Sequence, residues 1–348
     1  MKRLFARLAA DDWLRPRLTW RGALLLPLSV LFGIVTAVRR WAFRCDFIAS
    51  HQLAAPVIVV GNIVMGGAGK TPLVIWLVEQ LRTRGFSPGV ISRGYGGSFE
   101  GRPLAVDGLS DAGLCGDEPV LIAIRTGAPV VVGHDRVAAG QALLAAHPNV
   151  NVIVADDGLQ HYALRRQAEV VVFDERGLGN GWLFPAGPLR ERAARVSGAT
   201  ACVLPTKLAF AAKVPQFTRD LRPGLPYALS DSLKTRDWRT FSGTCHALAG
   251  IAHPPRFAQT LALQGIQATL HAFADHHRYS VTDLDALPSN VTLLMTEKDF
   301  VKLRAFASHP ALADAWVVPL NLELTGHGMV ESIELIELVE LTLNPPEP

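Results

Sequence analysis

One stretch of the chain constrains the fold more than any other. A β-branched run, Val57–Val60, leads through a glycine-rich loop into a helical pattern that begins at Pro72, and the loop ends in Gly-Gly-Ala-Gly-Lys-Thr over residues 66–71. Glycines let the backbone turn tightly with its N–H groups directed inward, and these groups bind phosphate oxygens together with a helix N-terminus. The order strand, glycine loop, helix therefore predicts a phosphate-binding loop in an α/β domain.

The chemistry of this loop points to a nucleoside triphosphate. The Lys70 ammonium is expected to reach the β- and γ-phosphates, and the Thr71 hydroxyl to hold Mg²⁺. Val64 stands where the G-x-x-x-x-G-K-[ST] pattern has its first glycine, so a glycine-rich turn with a chance Lys-Thr pair is the alternative. The strand-loop-helix context favours nucleotide binding. The loop residues expected to contact the nucleotide are Met65, Gly66, Gly67, Ala68, Gly69, Lys70 and Thr71.

A second apolar strand ends in two carboxylates, Asp156 and Asp157. An aspartate at the carboxyl end of such a strand holds Mg²⁺ directly or through water in phosphate-loop enzymes. A strand that simply ends in Asp at a turn is the alternative, because Gly158 follows. Adjacent strand residues point to opposite faces, so we expect only one of the two carboxylates to touch the metal directly.

The rest of the first half of the chain alternates apolar runs with amphipathic stretches. Continuous apolar runs are typical of strands buried on both faces of a parallel sheet, and the alternation is typical of βαβ units. We therefore predict a doubly wound, mostly parallel α/β sheet of the P-loop NTPase type. The strand candidates are Val57–Val60, Gly89–Ser92, Val130–Val132, 151–155, Val170–Phe173 and Ala201–Leu204, and the helix candidates are Pro72–Arg84, Glu118–Thr126 and Asp135–Ala146.

A second, smaller α/β domain is predicted after a break in this rhythm. Prolines and a glycine interrupt residues 205–240, which we interpret as a connection. The domains expected are residues 1–45, 46–225 and 226–348, with the last amphipathic stretch, Met329–Leu343, packing back on either domain. The second set of elements comprises Ala247–Ile251, Pro255–Leu263, Thr269–Phe273, Val281–Leu287, Val291–Thr296 and Trp316–Leu320.

The N-terminal segment indicates contact with a membrane. Gly22–Val38 carries no charge and is flanked by arginines on both sides. A spanning helix needs about 20 apolar residues, and Pro27 would kink this one. A buried core helix is one alternative, and a cleaved signal peptide is disfavoured because no small-x-small site follows. If the rest of the chain uses ATP, it faces the cytoplasm. We therefore expect a helix at the cytoplasmic membrane surface, with a true span as the alternative.

Composition excludes several classes of protein. Hydrophobic residues make up 49% and charged residues 19% of the chain, which rules out a disordered polypeptide. The formal net charge of +3 provides no strong field for nucleic acid, so we expect no nucleic-acid partner. The four cysteines form no CxxC pair, which fits a reducing compartment. We expect a monomer.

A series of polar motifs stands near predicted strand ends and helix starts, where ligands gather in such sheets. In order these are GNIVMGGAGKTP, SRGYGG, GDEP, ADDGLQH, PAGPLRE, DHH and TEKD, between Gly61 and Asp299. With these motifs the sequence resembles the tetraacyldisaccharide 4′-kinases, the lipid A 4′-kinases, whose loop also reads GGxGKT without the first glycine. The resemblance implies ATP-dependent phosphorylation of the 4′-hydroxyl of an acylated glucosamine disaccharide 1-phosphate. It also implies action in lipid A synthesis, at the cytoplasmic face of the inner membrane.

The same resemblance implies roles for further residues. Asp117 matches the family's proposed general base and His276 its partner, although the register leaves His277 open. An ordinary helix N-cap is the alternative for Asp117. The remaining family positions are filled by Arg136, Gln160, His161, Arg190 and Glu191.

The two arginines in this set, Arg136 and Arg190, suit phosphate because a guanidinium offers a bidentate fork, with surface salt bridging as the alternative. Gln160 and His161 are assigned to the nucleotide or to support of the two aspartates. Glu191 is assigned to the catalytic group, with pairing to a neighbouring helix as the alternative.

Two other classes of protein remain as alternatives. Membrane-bound partition ATPases also carry a GG-x-GKT loop, but their signature lysine would fall at Met65. A soluble small-molecule kinase with an unrelated apolar helix is the third interpretation.

Overall fold

Six parallel strands bring their carboxyl ends to one edge of a sheet. In the computed structural model, residues 12–208, 213–327 and 334–343 are described. Val60 pairs with Asp156, and Ile91 with Ala155, so the ends of these three strands lie side by side. The strands are β1 (Val57–Gly61), β2 (Pro88–Ser92), β5 (Val152–Asp156), β6 (Ala168–Val172), β7 (Ala201–Pro205) and β8 (Gln216–Pro223), in the spatial order β8-β7-β6-β1-β5-β2.

These strands and the helices that follow them form the first of two compact units. It comprises Met1–Arg93, Asp135–Asp220 and Glu323–Pro348. Every residue of β1, β2 and β5 is buried, as expected for a sheet covered on both faces. The predicted doubly wound α/β fold is confirmed. The helices of this unit are Trp20–Leu24, Leu26–Arg44, Lys70–Thr83, Arg136–Ala146 and Leu335–Leu343, and a 3₁₀ turn covers Ala193–Gly198.

The second unit is discontinuous and comprises Gly94–His134 and Leu221–Leu322. Its sheet has the order β10-β9-β14-β13-β11-β12, and β14, β13, β11 and β12 are parallel. The strands are β9 (Tyr227–Ala228), β10 (Asp231–Thr235), β11 (Cys245–Ala249), β12 (Ala268–Ala272), β13 (Thr292–Thr296) and β14 (Ala315–Val318). An antiparallel pair joins β3 (Leu104–Val106) to β4 (Val130–Val132). The helices are Ala112–Cys115, Asp117–Thr126, Pro254–Leu263, Val281–Asp285 and Glu297–Leu303.

Residues 94–134 belong to the second unit although they precede most of the first in sequence. Ion pairs tie the helix Asp117–Thr126 to the helix Glu297–Leu303: Lys298 bonds Glu118, and Arg125 lies 2.6 Å from Glu297. A division at one point of the chain, as in the limits 46–225 and 226–348, does not describe these units. Charged pairs between distant segments leave no trace in a local apolar pattern.

The interpretation of residues 205–240 as a plain connection is wrong. Strands β8, β9 and β10 lie there, and a last strand, β15 (Leu320–His327), follows β14. In β8 the buried positions alternate and include Arg219, and β10 is exposed along its whole length. Neither strand therefore has the continuous apolar run by which the other strands were predicted. Part of the predicted stretch Met329–Leu343 lies outside the described residues.

The helix Leu26–Arg44 is long and apolar enough to cross a membrane. Its most apolar 18-residue window has a mean hydropathy of 1.4, and only 11% of that window is buried. The interpretation as a buried core helix is therefore wrong. Apolar side chains that are more than half exposed cover its outer face, among them Leu28, Val30, Leu31, Ile34, Val35, Val38 and Trp41.

Candidate active site

The glycine loop lies between β1 and the helix Lys70–Thr83, as the motif predicts. Gly69 is the N-cap of this helix at φ 67°, and Gly66 has φ 95°. Side chains other than glycine rarely adopt such angles, which explains the glycines at these two positions. The Val64 backbone bridges Leu189, and the Met65 N–H donates to the Pro188 carbonyl at 2.8 Å. Val64 therefore pairs with a neighbouring segment at the position where the G-x-x-x-x-G-K-[ST] pattern has its first glycine.

Two arginines hold the carbonyl oxygens of this loop. Arg176 donates to the carbonyls of Met65 at 3.1 Å and Gly67 at 3.0 Å. Arg219 donates to those of Ala68 at 2.9 Å and Gly69 at 3.2 Å. In a trans peptide the N–H points opposite to the C=O. The N–H groups of the same peptides, at residues 66 and 68–70, therefore point away from the guanidinium groups, as a phosphate cradle requires.

The charged residues beside the loop form one chain of contacts. Lys70 Nζ lies 3.2 Å from Asp157 Oδ1, and Arg190 Nη1 lies 3.6 Å from the same oxygen. Arg190 also donates to Gln160 Oε1 at 3.3 Å, and Gln160 Nε2 donates to Glu191 Oε1 at 3.0 Å. Five of the predicted site residues are therefore in contact around the loop.

Asp157 has two signs of a functional position. Its backbone has φ 49°, a strained conformation for a residue other than glycine, and such strain clusters at functional sites. Burial favours the neutral acid, but the charges of Lys70 and Arg190 outweigh it and lower the pKa of Asp157 below 3.8. The carboxylate is therefore ionised at neutral pH.

Asp156 lies deeper, at the end of β5. Its Oδ2 accepts a hydrogen bond from Ser92 Oγ at 3.0 Å, and both residues are buried. Arg136 is only 3% exposed, so the alternative of a surface salt bridge is wrong for this residue. Burial lowers the pKa of Arg136, and the charges of Asp156 and Asp157 oppose that shift. Arg136 remains a cation, because arginine does not lose its proton in proteins.

His161 follows these aspartates as a neutral side chain. Burial, followed by the positive charge of Arg136, lowers its pKa to about 4. Its ring therefore offers one donor and one acceptor at neutral pH rather than a charge.

Oxygen donors suited to magnesium lie beside the loop. Mg²⁺ binds through one or two carboxylates and keeps waters and substrate phosphates as its other ligands. Thr71 and the two aspartates offer such oxygens, and Thr71 is buried at the start of its helix. Within the described ranges no three His, Cys, Asp or Glu side chains form a complete metal cage.

A second group of predicted residues meets in the other unit. His276 Nδ1 lies 3.0 Å from Asp117 Oδ2 and 3.1 Å from Oδ1. The other candidate, His277, faces Asp283 at 3.2 Å instead. Asp117 is the first residue of its helix and Gly116 is the N-cap, so the capping alternative for Asp117 is wrong. His276, like Asp157, has a positive φ, at 57°.

The electrostatics of this pair favour an ion pair. Burial raises the pKa of Asp117, but the hydrogen bond from His276 and the charge of Lys298 outweigh it, so the pKa is lowered below 3.8. The hydrogen bond to Asp117 raises the pKa of His276 above 6.5 against the effect of burial. Lys298 belongs to the TEKD motif and bonds Glu118, the neighbour of Asp117.

The SRGYGG segment packs against Gly116, the residue before Asp117. Gly116 has φ 88°, and a Cβ there would lie 2.6 Å from the Tyr95 carbonyl oxygen. The Tyr95 ring lies edge-on to His276, with centroids 5.5 Å apart. The motif therefore packs around the Asp117–His276 pair.

Comparison with known proteins identifies the class of enzyme. The family model described as tetraacyldisaccharide-1-P 4′-kinase matches residues 21–336. The chain belongs to this family. The tetraacyldisaccharide 4′-kinase of Azoarcus sp. (strain BH72) is 47% identical and aligns over 90% of this chain and 91% of its own length. That of Chromobacterium violaceum is also 47% identical, over 91% and 94%.

A solved structure agrees with the family. The crystal structure of LpxK from Aquifex aeolicus in complex with ATP has a TM-score of 0.79 and 27% identity, and the alignment covers 92% of this chain and 99% of that one. The chain is therefore an ATP-dependent kinase of lipid A synthesis, and the partition ATPase and soluble kinase interpretations are wrong.

The structure of this 4′-kinase also reveals site residues whose roles the motifs did not indicate. Arg176 and Arg219 hold the loop, and Lys298 adds charge beside Asp117. The two arginines are isolated in sequence, so only the basic character of their side chains could have drawn attention to them. Lys298 lies in the TEKD motif, for which no individual residue role was predicted. Thr296 of this motif caps the helix Glu297–Leu303, because its hydroxyl accepts the Asp299 N–H.

The PAGPLRE motif of the 4′-kinase connects the apolar helix to the glycine loop. Ser29 Oγ donates to the Leu183 carbonyl at 2.9 Å and accepts the Ala186 N–H at 2.8 Å. Further along the motif, the Arg190 N–H donates to the Ile63 carbonyl at 2.7 Å. One short segment therefore bonds both to the helix and to the loop that precedes Lys70.

Proposed function

We propose that this chain transfers the γ-phosphate of ATP to the 4′-hydroxyl of a tetraacylated glucosamine disaccharide 1-phosphate. The observation that carries the proposal is the glycine loop, whose carbonyls are held by Arg176 and Arg219 and whose amides point to the opposite side. Membership of the tetraacyldisaccharide-1-P 4′-kinase family supports the choice of acceptor.

ATP binds with its β- and γ-phosphates on the loop amides of residues 66–71 and on Lys70, whereas the Met65 N–H is taken up by the Pro188 carbonyl. Gln160 and the neutral His161 complete the nucleotide site from the segment after β5. Arg136 and Arg190 neutralise the charge on the transferring phosphoryl group, which is the main task in this kind of reaction. Glu191 fixes Gln160 through their hydrogen bond and also accepts from the Tyr162 hydroxyl.

Thr71, Asp156 and Asp157 are the residues that would hold Mg²⁺. Their hydroxyl and carboxylate oxygens are the hard donors that this ion prefers. When bound, the ion supplies charge neutralisation at the β- and γ-phosphate oxygens. Because Asp157 already pairs with Lys70, Asp156 and Thr71 are the better candidates for direct ligands.

Asp117 acts as the general base. Its carboxylate takes the proton of the 4′-hydroxyl while that oxygen forms a bond to the γ-phosphorus. The bond from the γ-phosphorus to the β–γ bridging oxygen breaks, so that ADP leaves and the proton later passes from Asp117 to water. His276 orients the carboxylate through Nδ1, at 3.0 Å. A base of low pKa suffices because the transition state is loose and positioning dominates the rate.

The helix Leu26–Arg44 associates with the cytoplasmic face of the inner membrane. Its exposed apolar face suits the acyl region, and the arginines at both ends suit anionic headgroups. The substrate keeps its acyl chains in the bilayer and its sugar at the interface, so a kinase that acts on it must work at that surface.

The direct test uses the purified full-length protein with radiolabelled ATP and an acylated disaccharide 1-phosphate. We expect a labelled product with a new phosphomonoester at the 4′ position, formed only in the presence of Mg²⁺. ATP hydrolysis without a labelled lipid, or label at another hydroxyl, would contradict the proposal.

A further inference from the structure

A cavity of about 310 Å³ lies beside the end of the apolar helix, in the first unit. Arg40 and Arg44 line it from the helix, and Arg166 and Arg195 from the segments before β6 and β7. Four guanidinium groups around one cavity create a local positive potential.

The cavity lies at the opposite edge of the sheet from the phosphate loop. Its lining includes Gln167, just before β6, and Thr200, just before β7, so it is at the amino ends of these strands. The glycine loop follows the carboxyl end of β1, which is parallel to β6. A strand of five residues spans about 17 Å. No residue of the glycine loop lines the cavity, and Glu191, which bonds both Tyr162 of the lining and Gln160, lies between the cavity and the nucleotide site.

Positive charge exceeds negative charge in the lining. Glu169 is its one carboxylate, and it already pairs with Arg195 at 2.5 Å and Arg166 at 3.3 Å. Arg40 has a distant partner in Glu191, at 3.8 Å. The Arg44 guanidinium has no ion pair among the residues that the structure describes. Arg166 also donates to the backbone carbonyls of Leu164, Leu159 and His161. Arg40 and Arg44 are therefore the groups best placed to bind a ligand, and two guanidinium groups at one cavity favour an anion such as a phosphate.

The helix places the cavity near the polar surface of a bilayer. Val38 is the last aliphatic residue of the exposed face, and Arg44 lies six residues further, about 9 Å along the helix axis. Trp41 is exposed between them, where an aromatic residue suits the membrane interface. An anion in the cavity therefore lies close to the headgroup layer when the aliphatic face contacts the acyl region.

We propose that this cavity binds the phosphate of an anionic phospholipid that is not the substrate. The inference rests on the membrane association in the proposed function. The bound headgroup fixes the end of the helix to the bilayer surface and thereby orients the kinase beside its acylated acceptor.

Gly198, in the cavity lining, allows a test that leaves the net charge unchanged. A Cβ at this position meets only Arg195 Nη1, at 3.8 Å, and the backbone needs no positive φ. Gly198→Gln fills the cavity with a neutral side chain, and Gly198→Ala is the matched control. With vesicles of phosphatidylcholine and phosphatidylglycerol, we expect Gly198→Gln to weaken binding about ten-fold, the loss of one hydrogen bond to a charged group. Gly198→Ala should bind like the wild type.

A second pair of variants separates the cavity from general surface charge. Arg44→Gln and Arg21→Gln each remove one exposed arginine, at opposite ends of the helical segment. Loss of one surface charge weakens binding to anionic vesicles about five-fold. We expect Arg21→Gln to weaken vesicle binding by this factor of about five. Arg44→Gln should weaken it about fifty-fold, because it also loses a hydrogen bond to the phosphate. The proposal would be overturned if Arg44→Gln and Arg21→Gln lost the same vesicle affinity and Gly198→Gln bound vesicles as tightly as the wild type.

Two further measurements distinguish other occupants. Kinase activity in neutral detergent micelles should be the same in Gly198→Gln and the wild type. A raised KM for the disaccharide substrate there would assign the cavity to the substrate's own phosphate and overturn the proposal, while leaving the 4′-kinase function intact. Calorimetric titration with inorganic phosphate should show no saturable binding that depends on Gly198. Saturation that is lost in Gly198→Gln would identify free phosphate as the ligand instead.

Discussion

Two arginines that are far from the glycine loop in sequence determine which way its peptides face. Arg176 and Arg219 bond the carbonyls of four of its residues. The amides are therefore oriented before a nucleotide arrives, and less conformational entropy is lost on binding.

Replacement of Arg176 tests this orientation. Arg176→Gln should raise the KM for ATP about ten-fold, because a charged hydrogen bond to the loop is lost, and change kcat less. Steady-state kinetics at varied ATP measures both values. The exposed Arg192→Gln in the same unit is the control. An unchanged KM for ATP in Arg176→Gln would mean that the loop holds its shape without this arginine.

The Asp117–His276 pair predicts a pH dependence of stability. The pKa of His276 is raised above 6.5 by Asp117, so its contribution is fully present below that value and is lost as the pH rises through the raised pKa. The pKa of Asp117 is lowered below 3.8, so its contribution is present above that value and is lost only as the pH falls through the lowered pKa. The pair therefore stabilises the fold in mildly acidic solution.

His276→Asn measures that contribution. Its melting temperature should lie further below the wild type at about pH 6 than at about pH 9, where the histidine of the wild type is neutral. Thermal denaturation at the two pH values gives the comparison. A deficit that is the same at both, or larger at the higher pH, would contradict the ion pair.

At the scale of elements, the apolar helix is docked by one narrow face. Ser29 is 3% exposed on a helix whose other side is open, and it both donates to and accepts from the PAGPLRE region. Gly33 lies one turn further, and a Cβ there would approach Leu183 to 2.7 Å. The small residues at these two positions allow the close approach.

Removal of the Ser29 hydroxyl should loosen this docking. Ser29→Ala leaves the Leu183 carbonyl and the Ala186 N–H without their partner, which costs about 1–3 kcal/mol of unfolding free energy. Thr36→Ala is the matched control, because the Thr36 hydroxyl bonds only carbonyls of its own helix. Denaturant unfolding of both variants measures the difference. If both variants lose the same unfolding free energy, the hydrogen bonds of Ser29 to Leu183 and Ala186 do not hold the helix.

Elements with a continuous apolar run were predictable, and those without one were not. The strand Val130–Val132 has the predicted bounds, and the element predicted at Pro255–Leu263 is the helix Pro254–Leu263. Strand β10 is exposed throughout and therefore lacks any apolar pattern. In the site, the motif residues were predicted because their residue types and spacing match the motifs of a known enzyme family. Arg219 lies in a strand whose burial alternates, and it contacts the loop only through tertiary structure.

At the scale of the whole molecule, the chain divides its motifs between two units. The glycine loop, ADDGLQH and PAGPLRE lie in the first, and GDEP, DHH and TEKD in the second. Sequence patterns locate each motif, but they do not reveal that residues 94–134 fold with residues 221–322. That grouping depends on ion pairs such as Glu118 with Lys298, which join distant parts of the chain.

The exposed apolar face is expected to govern access to the lipid but not the chemistry of ATP. Leu31→Asp should weaken vesicle binding about ten-fold or more and raise the KM for the acylated substrate, because a charge in the acyl region costs about 2–3 kcal/mol. The KM for ATP should not change. Leu233→Asp, at an exposed leucine in the second unit, is the matched control. Equal vesicle binding in the two variants would contradict membrane association through this helix.

If ATP binding depends on the glycine loop and proton removal on Asp117, substitutions separate the two functions. ATP dissociation and single-turnover phosphoryl transfer are measured in Asp117→Asn, with Lys70→Met for comparison. We predict that Asp117→Asn binds ATP within about two-fold of the wild type and loses transfer at least 100-fold, about the contribution of a general base. Lys70→Met should lose ATP affinity. Transfer by Asp117→Asn at a rate near that of the wild type would mean that Asp117 is not the general base.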